Sequence, residues 1–404
     1  MNTITWLHIS DLHFKENDEW NRNIVLNALL KDVKKCVTGE GLRPDFITVT
    51  GDIAFKSAIE EYERAEPFFE KLLGATGVEK DRLLIVPGNH DVDLDAIPGM
   101  ISRATRSLVD DRDGIIEVLS DSKERGSLFH KFHHYAGFIT NYLENKSPFD
   151  HDHYYFVRTL TLAGRKVAIL GLNSTWLYQK DFDRGCLALG EPQVRKALEE
   201  SEGADLRIAL MHHPFKWFMD TEGSCESLLV RSCDYILHGH LHQTGVTNLS
   251  TPDAGAMVLA AGAGFQGRRD RNACNWVRLD FDNNRGTVYL REYSDESGGF
   301  WTEDTRTYEN AKGGRYDFPL GSKTTPKGGK KVPRGRTGVR AAKMDPALLE
   351  SAYLRQVVQS CKSLPLGIID PRAMEQTRQQ TMDLAPLYVS LNTTSQAVDE
   401  GESP

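Results

Sequence analysis

Between Thr3 and Ala263 the chain alternates short apolar runs with helical stretches, and the way those runs end limits what it can fold into. TITWLHIS, DFITVTGD, RLLIVPGNHD, RKVAILGLNST, LRIALMHHP, CDYILHGHLH and AMVLAAGA are rich in Ile, Val and Leu and stop at Gly, Asp, Asn, His or Pro. Runs of this kind, without polar alternation, read as strands buried on both faces. The segment between the first two, NIVLNALLKDVKKCV, has its apolar residues at helical spacing. The expected fold class is therefore α/β. Further on, NWVRLDFD and GTVYLREY flank Asn283-Asn284-Arg285-Gly286 and read as a hairpin.

Five of the runs end in residues that bind cations: Asp11 and His13, then Asp52, then Asn89 with His90 and Asp91, then His212 and His213, then His240 and His242. A lone histidine after a strand is ordinarily a hydrogen-bonded residue, and an Asp after Gly ordinarily a turn former. The weight lies in the series, because loops at the carboxyl ends of strands in open α/β sheets converge. Asp11 with His13, and His240 with His242, are two apart and in extended chain would point to one side. Asp52 has two carboxylate oxygens and could lie between two cations about 3.5–4 Å apart. Glycines before Asp52, Asn89 and His240 are expected to let the chain turn sharply. Oxygen and imidazole donors without thiolate suit manganese, iron or zinc.

The ordered blocks Asp11-Leu12-His13, Gly51-Asp52, Gly88-Asn89-His90-Asp91, His212-His213-Pro214 and Gly239-His240-Leu241-His242 resemble those of the calcineurin-like metallophosphoesterase superfamily. The resemblance implies an α/β/β/α architecture, a two-sheet β-sandwich flanked by helices, with two divalent cations. Carried over, Asp11, His13, Asp52 and His242 would hold one cation, and Asp52, Asn89, His212 and His240 the other. His90 would be the catalytic histidine, oriented by Asp91. The implied chemistry is hydrolysis of a phosphoester by water activated at the cation pair and attacking phosphorus in line. WLHISDLHF and VPGNHD are most similar to the bacterial phosphodiesterase branch, so a cyclic nucleotide or another small phosphodiester is the expected substrate. The second block reads GDIAFKS, without the Asp-Arg-Gly extension of the Ser/Thr protein phosphatases. A nuclease of the same superfamily, and a scaffold that keeps the fold without catalysis, are the competing readings.

Charge divides the chain further. Residues 323–343 hold eight Lys or Arg and no acid, so against a total of −8 the remainder sums to −16. Residues 1–315 are expected to form the catalytic domain, with a polar helical insertion at 94–150 placed to overhang the site. Residues 316–344 read as a basic Gly/Pro/Lys linker that could hold nucleic acid nonspecifically. In 345–404 an amphipathic helix (Leu349, Tyr353, Val357, Cys361), a short strand at Leu387–Leu391 and a disordered end are expected. YLRQVVQSCKSLPLGIID with LYVSL resembles the leader of NACHT-type signalling NTPases. That resemblance implies an effector of such a system, although no GxxxxGK[ST] loop follows.

His8 and His238 lie within strands and are expected to be packed rather than ligating. His130, His133, His134, His151 and His153 belong to the insertion or its edge, as solvated surface or a lid. The six scattered cysteines read as reduced thiols. With no run of about 18 apolar residues and no basic, cleavable start, the expected location is cytoplasmic, away from a membrane.

Overall fold

The computed structural model describes residues 2–144, 149–179, 184–220, 225–252 and 254–320, with two short strands at 363–365 and 381–383. The layering follows from the period of two along each strand. In β1 (Thr3–Ile9), Ile4 and Trp6 turn to one face while Leu7 and Ile9 turn to the other. In β2 (Phe46–Val49) and β3 (Leu83–Ile85), Phe46 and Leu84 join Trp6, whereas Ile47, Val49, Leu83 and Ile85 join Leu7. Trp6 stacks on Phe46 at 5.6 Å and meets Tyr235 of the second sheet edge-on at 5.4 Å. A Trp this buried makes Trp6→Ala a loss of about 3–5 kcal/mol.

The first sheet runs β12-β11-β10-β1-β2-β3, with β10 (Ala273–Asp280), β11 (Arg285–Ser294) and β12 (Phe300–Glu303). β1, β2 and β3 are parallel, and β10 pairs with β1 antiparallel. β10 and β11 form the expected hairpin, Asp280 opposite Arg285. The second sheet runs β4-β5-β6-β7-β9-β8, from β4 (Phe156–Leu162), β5 (Arg165–Gly171), β6 (Leu206–Leu210), β7 (Tyr235–His238), β8 (Gly245–Ser250) and β9 (Gly255–Ala260). Helices α1 (Glu19–Gly39) and α2 (Ile59–Thr76) supply apolar side chains to the cluster outside the first sheet. On the second sheet α7 (Glu191–Glu200) and α8 (Glu226–Ser232) do the same through Val194, Ala197 and Leu229. The result is the expected helix-flanked sandwich.

Between β3 and β4 the polar insertion forms α3 (Gly99–Ser107), α4 (Arg112–Ser120), α5 (Ser122–Phe129) and α6 (His133–Tyr142), with a 3-10 turn at His130–Phe132. One boundary moves. Residues 316–319, assigned above to the linker, belong to β13 (Arg315–Pro319), which pairs with β11 and buries Phe318 in the core between the sheets. Pro319 hides this strand from a sequence reading, but at a strand end on a sheet edge proline is tolerated.

The chain divides at Gly329 into two compact units. In the second, Ser363–Pro365 pairs antiparallel with Thr381–Asp383. The helix expected from Leu349 to Cys361, the strand at Leu387–Leu391 and the basic stretch lie outside the described residues. Among the described residues Cys36, Cys186 and Cys274 are free thiols. Among the described residues no helix is long and apolar enough to cross a membrane.

Candidate metal centre

Each predicted ligand stands in a loop that leaves the carboxyl end of a parallel strand: β1, β2 and β3 of the first sheet, β6 and β7 of the second. The loops interlock before any ligand is considered. Asp11 N–H donates to Gly51 O, and Leu12 and His13 N–H both donate to Asp52 O. Across the sheets His240 N–H donates to Asp11 Oδ2 at 3.1 Å. The carboxylate of Asp91, fully buried, accepts from the N–H groups of Ile53, Ala54 and Gly88 and from the Tyr62 hydroxyl. It ties the loop after β2 to the loop after β3.

The way the ligands share a side differs from the sequence expectation. Asp11, His13, Asp52, His240 and His242 all have positive φ, between 47° and 67°, so neither Asp-x-His nor His-x-His is extended. Left-handed backbone at a residue with a side chain costs on the order of 1 kcal/mol, and the interlocking hydrogen bonds hold it. The glycines also act differently. Only Gly51 of the three has positive φ (95°). Gly88 and Gly239 are required by close approach, since a Cβ would fall 2.1 Å from Asp52 Oδ1 at the one and 1.9 Å from Ser10 Oγ at the other.

The side chains gather into two adjoining groups. Asp11, His13, Asp52 and His242 bring one donor atom each within 4.8 Å of one another. His242 Nε2 is 3.1 Å from Asp11 Oδ1, and His13 Nε2 is 3.4 Å from Asp52 Oδ2. The same Asp52 oxygen is 3.3 Å from His212 Nε2. Around His212 lie Asn89 Oδ1 at 3.0 Å and His240 Nδ1 at 3.2 Å. Asp52 thus touches both groups.

The tautomers bear on what these atoms could hold. His212 Nδ1 is 2.7 Å from Thr50 O and His13 Nδ1 is 3.2 Å from Phe265 O. A carbonyl only accepts, so each Nδ1 carries the hydrogen and each neutral ring points an Nε2 lone pair at a carboxylate or amide oxygen. Acceptor then faces acceptor. Asp11 Oδ1 and His13 Nε2 are buried without a hydrogen-bond partner. A cation at each group would reconcile the contacts, and the donor set of imidazole, carboxylate and amide oxygen fits a borderline divalent ion. Without one, protons must serve. Burial alone would lower His212, but the adjacent Asp52 carboxylate raises it to about 9. Asp52, which burial would raise, is held well below the carboxylate range by His212 and His13.

Residues 4–244 match the calcineurin-like phosphoesterase family. The chain belongs to that family. It is 23% identical over 328 residues to YydB of Bacillus subtilis, described as an uncharacterized metallophosphoesterase-like protein, covering 78% of this chain and 65% of that protein. Over 85 residues it is 40% identical to the glycerophosphodiester phosphodiesterase GpdQ of Enterobacter lignolyticus, 21% of this chain and 28% of that one. The chain therefore spans less than two thirds of either relative. Among solved structures, a purple acid phosphatase from yellow lupin aligns over 74% of this chain and 54% of its own, at 10% identity and a TM-score of 0.44.

In this family member the remaining predicted residues separate clearly. His90 is half-buried; its N–H donates to Asp52 Oδ1 at 2.8 Å, its Nδ1 meets Phe55 O at 2.7 Å, and its ring stacks on Phe55 at 5.1 Å. The hydrogen-bond partner of the His90 ring is thus the Phe55 carbonyl, while the Asp91 carboxylate bonds the N–H groups of Ile53, Ala54 and Gly88. His213 lies beside His240, with Nδ1 on the Ser174 hydroxyl. His8 bonds Thr50 Oγ1 at 2.9 Å inside the sandwich, and His238 Nδ1 contacts Gly239 O. His134 places Nδ1 on Ser57 O, while His130 and His133 stack together. One residue escaped the sequence reading: Ser174, whose Oγ accepts from the N–H of His212 and of His213. It lies at the end of RKVAILGLNST, a strand-like run with the same kind of polar ending as those that carry the predicted ligands.

Proposed function

We propose that this chain is a dinuclear metallophosphoesterase that hydrolyses a phosphodiester. The observation that carries the reading is the convergence on Asp52, where His13 Nε2 and His212 Nε2 lie 3.4 and 3.3 Å from one carboxylate oxygen. Asp11, His13, Asp52 and His242 would hold one divalent cation, and Asp52, Asn89, His212 and His240 a second. Manganese, iron and zinc all suit the set. Such a pair would acidify a water and neutralise charge on phosphoryl oxygens.

The chain's own residues do the rest. With its Nδ1 hydrogen committed to Phe55 O, His90 leaves Nε2 for the substrate. Protonated there, it can donate to the leaving oxygen or stabilise charge in the transition state. Stacking on Phe55 keeps the ring from turning away. The contacts from Thr50 and Phe265 carbonyls hold the ligand imidazoles in the orientation that leaves Nε2 free.

Preference for a diester is supported by the 40% identity to a glycerophosphodiester phosphodiesterase over 85 residues. Incubation of the manganese-loaded chain with bis-p-nitrophenyl phosphate, p-nitrophenyl phosphate, cyclic nucleotides and single- and double-stranded DNA tests it. Turnover of the diester above the monoester is expected. Cleavage of DNA alone would make the protein a nuclease, and no turnover with two cations bound would make it a scaffold.

A further inference from the structure

Apart from the two groups around Asp52, the side chains of Asp93, His133 and His134 bring one donor atom each within 4.8 Å of one another. They come from separate elements. Asp93 lies two residues beyond Asp91 in the loop after β3, and the histidines open α6 of the insertion. Asp93 Oδ2 is 3.8 Å from His133 Nε2 and 3.8 Å from His134 Nδ1, too far for a hydrogen bond to either. Donors about 2.0–2.2 Å from one tetrahedral zinc ion stand roughly 3.3–3.6 Å apart, so a shift of a few tenths of an ångström closes each gap.

Other contacts fix these donors in place. Asp93 Oδ1 accepts from the N–H groups of Asp95 and Ala96 at 3.0 and 3.2 Å, and Oδ2 is the oxygen left towards the imidazoles. His133 Nδ1 is 3.1 Å from His130 O, so it carries the hydrogen and the lone pair falls on Nε2, the atom nearest Asp93. Ligating imidazoles are anchored through their other nitrogen in this way. Burial and the neighbouring His134 lower His133, which keeps that ring neutral at pH 7. His134 Nδ1 lies 2.7 Å from Ser57 O and donates to it. Moving that hydrogen to Nε2 turns both Nδ1 and the carbonyl oxygen into electron-pair donors, and the set becomes two imidazoles, a carboxylate and a carbonyl. All three side chains are partly exposed, so an ion can reach them.

We propose that Asp93, His133 and His134, with Ser57 O, form a further cation site suited to zinc, which staples α6 of the insertion onto the loops after β2 and β3. The inference stands independently of the dinuclear reading. Ser57 Oγ donates to Asp91 O at 3.0 Å, so the staple fastens the insertion beside the residue whose carboxylate joins those two loops. It gives the insertion's histidines a task where the sequence offered solvated surface or a lid. With a single carboxylate and partial exposure, this site holds zinc more loosely than the buried groups around Asp52 and loses it on gel filtration.

The test is equilibrium calorimetric titration of the metal-free full chain with Zn(II). A binding event weaker than those of the buried groups is expected, and Asp93→Asn and His133→Gln should each remove it. The tighter events should remain in both variants and show that each is folded. Persistence of the weak event in the two variants, or its absence from the wild type, overturns the proposal. Hydrogen exchange reads the staple itself: Zn(II) should slow exchange in peptides from His130 to Tyr142 of the wild type and not of His133→Gln. Equal slowing in both would place the ion elsewhere and likewise overturn it. A wild type that shows the weak event alone would defeat the dinuclear reading and leave this one standing.

Discussion

Four histidines in this fold are almost equally buried and are treated in opposite ways. His8 and His238 sit within strands, and His13 and His212 just beyond strand ends. Burial, with the neighbouring His238, pushes His8 down to about 3; burial likewise takes His238 down to about 4. Burial also acts against charge on His13 and His212, yet contacts with Asp52 raise both, His212 to about 9. Enclosure alone therefore does not decide the charge of an imidazole here. The sandwich interior selects neutral rings, whereas at its rim the imidazoles in contact with Asp52 favour positive charge and His240 does not, being pushed down to about 3 by burial and by His212.

Removing the shared carboxylate should break that contrast most severely. In Asp52→Asn the oxygen that faces both His13 and His212 loses its charge, so cation uptake should fall from two per chain to less than one and turnover to background. Metal analysis after gel filtration checks this, and retention of two cations would remove Asp52 from the bridging role. His90→Ala separates chemistry from binding. Its side chain contacts Phe55 O and no ligand side chain by hydrogen bond, so metal content should persist while kcat falls by roughly 10²–10⁴. Retained activity would refute the role.

A smaller effect distinguishes a cation from a proton at the rim. With His212 raised to about 9 in the metal-free protein, a divalent ion must displace a proton at neutral pH. Affinity should rise with pH by about tenfold per unit for one proton released, up to about pH 9. Titrations in buffers of different ionisation enthalpy count that proton. A flat profile from pH 7 to 9 would mean that the ring is already neutral.

How much of this could be read in advance depends on whether a residue acts through its type or through its backbone. Asp11, His13, Asp52, His212, His240 and His242 announce themselves because residue types able to bind cations close apolar runs, and strands of one sheet system end at one edge. The left-handed turns that aim them do not, since an Asp or His at φ near 55° looks like any other in sequence. Ser174 acts on the N–H groups of His212 and His213 from 38 and 39 positions away, a contact set by the pairing of β5 with β6. Gly88 and Gly239 reveal their reason only when Asp52 and Ser10 are packed against them.

The same four histidines predict a stability profile of opposite slopes. In metal-free protein His212 is raised in the folded state to about 9 from 6.5. Between pH 9 and 6.5 the native chain then binds more protons than the unfolded one, so acidification stabilises it. His8 and His238 are depressed to about 3 and about 4. Below pH 6.5 the unfolded chain binds the extra protons, and acidification destabilises. Urea midpoints of chelator-treated protein from pH 4 to 9 should therefore pass through a maximum near pH 6.5. His8→Gln, which retains a polar group for Thr50 Oγ1 and does not titrate, should flatten the acid limb and leave the alkaline one. If it flattened the alkaline limb instead, the interior and the rim would be one coupled system rather than two regions with opposite demands.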